Sequence, residues 1–185
     1  MNAAEDTKTK TATFAGGCFW CTEAVFVRLK GVRRVTSGYT GGRIPNPTYK
    51  QVCTGVTGHA EGIQVEYDPS VITYEQLLDV FFHTHDPTTL NRQGADVGTQ
   101  YRSAVFFHNE KQKLAAQKMI DQLDRSGDFE QKIVTTLEEL KDWYPAEDYH
   151  QDYFKLNPRQ PYCRAVVGPK VEKFQKRYQA LLKKD

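Results

Sequence analysis

The chain has 185 residues, 39% hydrophobic and 26% charged, enough for one sizeable apolar core and short for two. No apolar run approaches the roughly 18 residues of a membrane span, which excludes membrane insertion, and a formal charge of +2 implies no general attraction to nucleic acid. Met1 to Lys10 are polar and lack the apolar stretch of a secretory signal, so residues 1–10 are expected to be a disordered lead-in to one domain over 11–185, in the cytoplasm.

A short apolar strand is expected at Ala12–Ala15, with a helical pattern from near Thr22 to about Leu29. Val32 to Gly41, rich in glycine and β-branched residues, reads as a strand ending in a turn, and Arg43 to Pro47 as a loop. Thr48 caps a short helix to Cys53, and Gly55 to Gly58 is another turn. The clearest strand has Ile63, Val65 and Tyr67 alternating with Gln64, Glu66 and Asp68, closed by Pro69. Thr73, with Gln76 three residues on, opens a helix that carries Leu77, Leu78, Phe81 and Phe82 inward and ends at Asp86-Pro87. A long irregular segment runs to Thr99, followed by a strand at Tyr101–His108. Asn109 then caps a helix that buries Ala116, Met119, Ile120 and Leu123 and stops at Gly127. Strand, helix, strand, strand, helix, strand is the split βαβ order of an α/β ferredoxin-like two-layer sandwich. Extra loops follow, then a C-terminal helix with Val171, Phe174, Tyr178, Leu181 and Leu182 at helical spacing and its lysines mostly on the solvated side.

Chemistry concentrates in Gly16-Gly17-Cys18-Phe19-Trp20-Cys21. Cys18 stands where strand runs into helix, and the unpaired N–H groups and positive dipole end there are expected to lower its pKa. Gly16 and Gly17 allow a sharp turn and are expected to leave the sulfur open, while Phe19 and Trp20 set two aromatic faces beside it for an apolar substrate group. Cys18 is the leading nucleophile candidate. Glu61 lies two residues before Ile63, on the inward face of that strand. If buried there it keeps its proton and can act as a general acid; if pairing begins only after Gly62 it is an ordinary solvated carboxylate.

Four cysteines, Cys18, Cys21, Cys53 and Cys163, point to redox or metal chemistry before a disulfide scaffold. Cys18 and Cys21, three apart, would share a helix face and need only slight adjustment to form a disulfide. Two alternatives therefore stand beside a substrate-reducing thiol enzyme: a general thioredoxin-like dithiol-disulfide oxidoreductase and a non-enzymatic zinc-binding module. Two bulky aromatics between the cysteines and the strand order weigh against the first; the lack of a second CxxC or a matched histidine pair weighs against the second, so no metal is expected. Cys53, behind Val52, reads as a small core residue, and Cys163 as either core or a second redox thiol. His83, His85 and Asp86 read as a helix cap, Tyr49 and Tyr101 as half-buried aromatics, and spacing alone assigns Asp96 and His150 no role.

Taken together, the motifs resemble the peptide methionine sulfoxide reductase A family. They are Gly17-Cys18-Phe19-Trp20-Cys21, Gly38-Tyr39-Thr40-Gly41-Gly42, Tyr49 with Val52-Cys53, Thr57-Gly58-His59-Ala60-Glu61, Asp86-Pro87-Thr88, Gly98-Thr99-Gln100-Tyr101-Arg102-Ser103 and Ala146-Glu147-Asp148-Tyr149-His150-Gln151. The resemblance spans most of the chain and implies a single catalytic domain in which Cys18 attacks the sulfur of a methionine sulfoxide, of the S epimer, leaving a sulfenic acid. It further implies that Glu61 protonates the departing oxygen, that Tyr49 and Tyr101 donate to it, that Asp96 lines the pocket, and that Phe19 and Trp20 hold the methyl group. Thioredoxin is the implied reductant, with no metal or bound cofactor, and a monomer is expected. The substrate is expected in proteins and as the free amino acid. Many relatives carry resolving thiols in a glycine-rich tail, whereas Cys163 is flanked by Pro161 and Arg164. Cys21 is therefore favoured as the resolving thiol, with Cys163 as the alternative.

Overall fold

The computed structural model describes residues 9–184. Strand β1 (Lys10–Gly16) runs directly into helix α1 (Phe19–Phe26), three residues earlier than the apolar pattern suggested. Lys10 already pairs with Tyr67, because a backbone ladder needs no apolar side chain. The strand thus begins inside the expected lead-in; residues 1–8 lie outside the described residues.

Next come β2 (Val32–Thr40), α2 (Tyr49–Cys53), β3 (Ala60–Tyr67) and α3 (Tyr74–His83). Both helices open with reciprocal capping boxes, Thr48 with Gln51 and Thr73 with Gln76, so the start signals read from sequence are physically in place. The stretch expected to be irregular contains a small hairpin, β4 (Arg92–Gln93) with β5 (Asp96–Val97). Gly98, at φ 146°, turns the chain into a 3₁₀ turn at Thr99–Tyr101, so Tyr101 precedes strand β6 (Ser103–Phe107) instead of opening it. Helix α4 (Glu110–Ser126) is capped by the Asn109 side chain and ends at left-handed Gly127.

The central strands have the order β6-β1-β3-β2, all antiparallel, with α1 between β1 and β2 and α3 between β3 and β6. Two short strands not legible in the sequence, β7 (Thr136–Glu139) parallel to β6 and β8 (Trp143–Pro145) antiparallel to β2, extend the sheet to six strands and make it mixed. Helix α5 (Tyr153–Leu156) follows, and a π-helical turn at Cys163–Val167 leads into α6 (Gly168–Arg177). The result is an α/β fold with a mixed sheet.

Alternation along β1 and β3 places Ala12, Phe14, Ile63 and Val65 in one core with Val25 and Phe26 of α1, Leu77 and Phe81 of α3, Ile120 of α4 and Phe174 of α6. The Phe14 ring lies 4.9 Å from Phe81 and 5.5 Å from Phe26. Pairing of β2 with β3 continues through Tyr39 with Glu61 to Thr40 with Ala60, so the strand starts before Glu61 and turns that carboxyl inward. The loop after β2 is tied by His59, which accepts the Gly42 N–H at 3.0 Å and bonds the Ile44 carbonyl at 2.7 Å. A Cβ at Gly42 would lie 2.4 Å from His59 N and Thr57 O, both backbone atoms. Gly42→Ala is expected to destabilise the fold by about 1–3 kcal/mol, read as a lower urea midpoint at unchanged slope.

Candidate active site

Cys18 is the N-cap residue of α1, with extended backbone (φ −64°, ψ 126°) and Gly17 before it at φ 83°. Its neighbour Phe19 donates its N–H to the Glu61 carboxyl at 3.1 Å. One helix N-terminus therefore carries both the candidate nucleophile and the candidate acid. Glu61 is 1% exposed, and burial pushes its carboxyl up to about 8, against the pull of the Phe19 N–H; the charges of Asp96 and Cys21 act in the same direction as burial.

The thiol pair departs from the sequence expectation. Cys18 is only 8% exposed, and the Gln93 side chain lies against Gly17, so the sulfur is not open. Burial outweighs the helix end and pushes the Cys18 thiol well up; the hydrogen bond to Cys21 and the charge of Glu61 add to this. Cys21 is held down to about 7 by the hydrogen bond from Cys18, despite its own burial; the Lys170 ammonium and Tyr162 hydroxyl help hold it there. Of the two sulfurs Cys21 is thus the one whose ionisation is favoured, with the Cys18 thiol donating to it.

Aromatic groups enclose this end of α1. Phe19 is fully buried, with ring centroids 6.3 Å from Tyr49, 5.7 Å from Tyr39 and 5.0 Å from His150. Trp20 stacks on Tyr153 at 3.7 Å and donates its indole N–H to His150 at 3.0 Å. Tyr49 and Tyr101 lie within electrostatic reach of Glu61; burial first and that charge second push both phenols up, so they remain hydroxyl donors at neutral pH. Glu147 accepts from the Tyr39 hydroxyl at 2.9 Å and the Tyr49 N–H at 3.0 Å, fixing the start of α2 beside the site. Asp96 accepts from the Tyr162 hydroxyl at 2.6 Å, and that oxygen is 4.0 Å from the Cys21 sulfur.

The structure therefore brings Cys18, Cys21, Glu61, Tyr49, Tyr101, Phe19, Trp20 and Asp96 to one end of α1. Cys163 lies behind Cys21, fully buried in the π-helical turn. Cys53, expected in the core, is exposed, because α2 turns Val52 inward and its neighbour outward. His83 and His85 bond the carbonyls of Asp79 and Phe81, as a helix cap requires. Residue-type reasoning missed Tyr162, Tyr153, Glu147 and His150. Tyr162 was signalled only by adjacency to Cys163, and Glu147 and His150 only by membership of the Ala146–Gln151 motif; Tyr153 had no sequence signal. Among the described residues no helix is long and apolar enough to cross a membrane, and no trio of His, Cys, Asp or Glu side chains gathers as metal ligands would.

Residues 10–182 match the family described as peptide methionine sulfoxide reductase. Peptide methionine sulfoxide reductase MsrA of Nautilia profundicola is 57% identical over 165 residues, covering 89% of this chain and 94% of that one. Mxr1 from Saccharomyces cerevisiae in reduced form is similar in structure, with a TM-score of 0.75 and 40% identity over 87% of this chain and 92% of its own. The same yeast protein in complex with Trx2 is similar at TM-score 0.53 and 30% identity, over 83% and 90%. With a family model matched over nearly all the described residues and a relative more than half identical, this chain belongs to the peptide methionine sulfoxide reductase family, a family of enzymes.

Proposed function

We propose that this protein reduces the S epimer of methionine sulfoxide, peptide-bound and free, to methionine. One observation carries the reading: a buried carboxyl that keeps its proton to about pH 8, Glu61, bonds the N–H of the residue next to Cys18. Breaking a sulfoxide S–O bond requires a proton on the oxygen, and a buried acid beside a sulfur nucleophile supplies one where water is scarce.

The proton of Cys18 passes along the thiol–thiol hydrogen bond to the Cys21 thiolate, and the Cys18 sulfur attacks the sulfoxide sulfur. Glu61 protonates the oxygen while the Tyr49 and Tyr101 hydroxyls donate to it. The oxygen transfers to Cys18, two electrons leave that sulfur, methionine is released and Cys18 becomes a sulfenic acid. Phe19 and Trp20 hold the methyl group, and Asp96, bonded to Tyr162, lines the same pocket. The Cys21 thiol then attacks the Cys18 sulfur, forming the S–S bond and expelling water. Its hydrogen bond to Cys18 supports Cys21 as the resolving thiol.

A thioredoxin-class dithiol returns two electrons and two protons, and the complex of yeast Mxr1 with Trx2 supports that choice. The proposal includes a cytoplasmic monomer. It also reads the β6-β1-β3-β2 order as the split βαβ core of a ferredoxin-like two-layer sandwich. The test is reduction of a peptide methionine sulfoxide supplied as separate S and R epimers with excess dithiol. Loss of the S epimer alone is expected; turnover of neither epimer, or of R alone, overturns the proposal.

A further inference from the structure

We infer that the cleft at the far end of β1 from Cys18 is a binding site for a phosphate group, free or as the ester of a small molecule, with the Tyr74 hydroxyl as a donor at its floor. The inference stands apart from the sulfoxide chemistry.

The cleft has a volume of about 510 Å³ and is walled by Lys10 of β1, by Tyr67 and Pro69 at the end of β3, and by the first residues of α3 and α4. Lys10 and Gly16 lie at opposite ends of β1, about 20 Å apart at the ordinary strand rise, which separates the cleft from the Cys18 site. Tyr74 is 9% exposed, and its hydroxyl is buried without a hydrogen-bond partner among the described residues. Burial first, then the nearness of Tyr67 and Glu75, pushes this phenol up, so it keeps its proton and remains a donor. Both of those neighbours line the cleft, which places the hydroxyl on the cleft side of the ring. A buried O–H left without an acceptor is costly in a folded protein, and a ligand oxygen removes that cost.

Two helices begin at this cleft. Thr73 caps α3 and Asn109 caps α4, and both line it together with the residues that follow them. The caps accept the N–H groups of Gln76 and Gln112. The earlier N–H groups, of Tyr74 and Glu75 in one helix and of Glu110 and Lys111 in the other, have no carbonyl within their own helices to bond. Two positive dipole ends therefore converge here, with the exposed Lys10 and Lys111 at the rim. Donors approach from several sides, which suits a tetrahedral oxyanion better than a planar carboxylate. The cleft is larger than one ion needs, and the half-buried Pro69 and Ala115 add apolar surface on which the body of an ester can rest. His108 adds no charge, because burial pushes its imidazole pKa down. Glu75, exposed, is the one carboxylate of the lining and opposes an anion.

The test titrates ¹⁵N-labelled protein with inorganic phosphate and with phenyl phosphate, against sodium chloride at equal ionic strength, and follows the backbone amides and the Trp20 indole N–H. Saturable shifts centred on the Glu75 and Lys111 amides are expected with both phosphates and not with chloride, while the Trp20 indole stays in place. Tyr74→Phe should weaken binding about tenfold, the worth of one hydrogen bond to a charged group. Glu75→Gln should tighten it about threefold, by removing an exposed like charge. The opposite signs separate loss of binding from damage to the fold, and Tyr74→Phe, which deletes only an unpaired hydroxyl, should unfold at no lower urea concentration than the wild type. Tighter binding of phenyl phosphate assigns the site to a phosphate ester, and equal affinity assigns it to free phosphate. Shifts that do not saturate or that chloride reproduces, shifts centred on Trp20, or a Tyr74→Phe variant that binds as the wild type does would each overturn the inference. No sulfoxide enters the test, so its failure leaves the proposed function untouched.

Discussion

Cys18→Ser is expected to abolish methionine formation, whereas Cys21→Ser is expected to halt thioredoxin-driven turnover after one methionine per enzyme. The first loss should be on the order of 10³-fold or more, since a hydroxyl in place of the sulfur cannot take the oxygen to form a sulfenic acid. In Cys21→Ser the attacking sulfur and the acid remain, so one equivalent of methionine should appear and Cys18 should persist as a sulfenic acid that a selective carbon nucleophile can trap. That burst should be slower than in the wild type, because the group that takes the Cys18 proton has been lost. Single-turnover release of methionine, followed by mass mapping of Cys18, distinguishes these states. Sustained turnover by Cys21→Ser with thioredoxin, or a Cys18–Cys163 disulfide with Cys21 free in the oxidised wild type, would show that Cys163 resolves the intermediate.

Glu61→Gln should lower kcat by about 10²–10⁴-fold, the usual contribution of a positioned general acid, with KM little changed. Glutamine keeps an oxygen to accept the Phe19 N–H but carries no acidic proton, so geometry is preserved while proton delivery is lost. In the wild type the acid is raised to about 8, so activity should fall on the alkaline side as Glu61 ionises, and this limb should vanish in the variant. Stability carries the same signature. Between about 4.5 and 8 the folded chain holds a proton that the unfolded chain has released, so this group's contribution to stability falls as pH rises through that window. Urea unfolding across that range should show a shallower decline for Glu61→Gln than for the wild type. A variant within about threefold of wild-type kcat would remove Glu61 from the acid role.

Much of the scaffold was legible because its signals are local. Thr73 with Gln76, Asn109 and Gly127 mark helix ends within one turn, and the Ile63, Val65, Tyr67 alternation exposes a strand phase. The edge strands β7 and β8, of four and three residues, are too short to display a period, and pairing with β6 and β2 is what makes them strands. Cys53 was misread because a single cysteine after Val52 does not reveal which way the last turn of a five-residue helix faces.

By itself the sequence determined the junction that puts Cys18 at the head of a helix, the three-residue spacing to Cys21, and the Ile63, Val65, Tyr67 alternation that gives β3 its inward face. It could not determine who holds the protons. That depends on desolvation, which arises from everything packed around a group: it raised Cys18 where the helix end alone argued for lowering, and it settled Glu61 as buried where strand phase left two answers. The contacts that orient the site, Tyr162 to Asp96 across 66 residues and Trp20 to His150 across 130, were likewise decided only by the tertiary structure, because residues that far apart in the chain become neighbours only when the sheet and its helices close around one core.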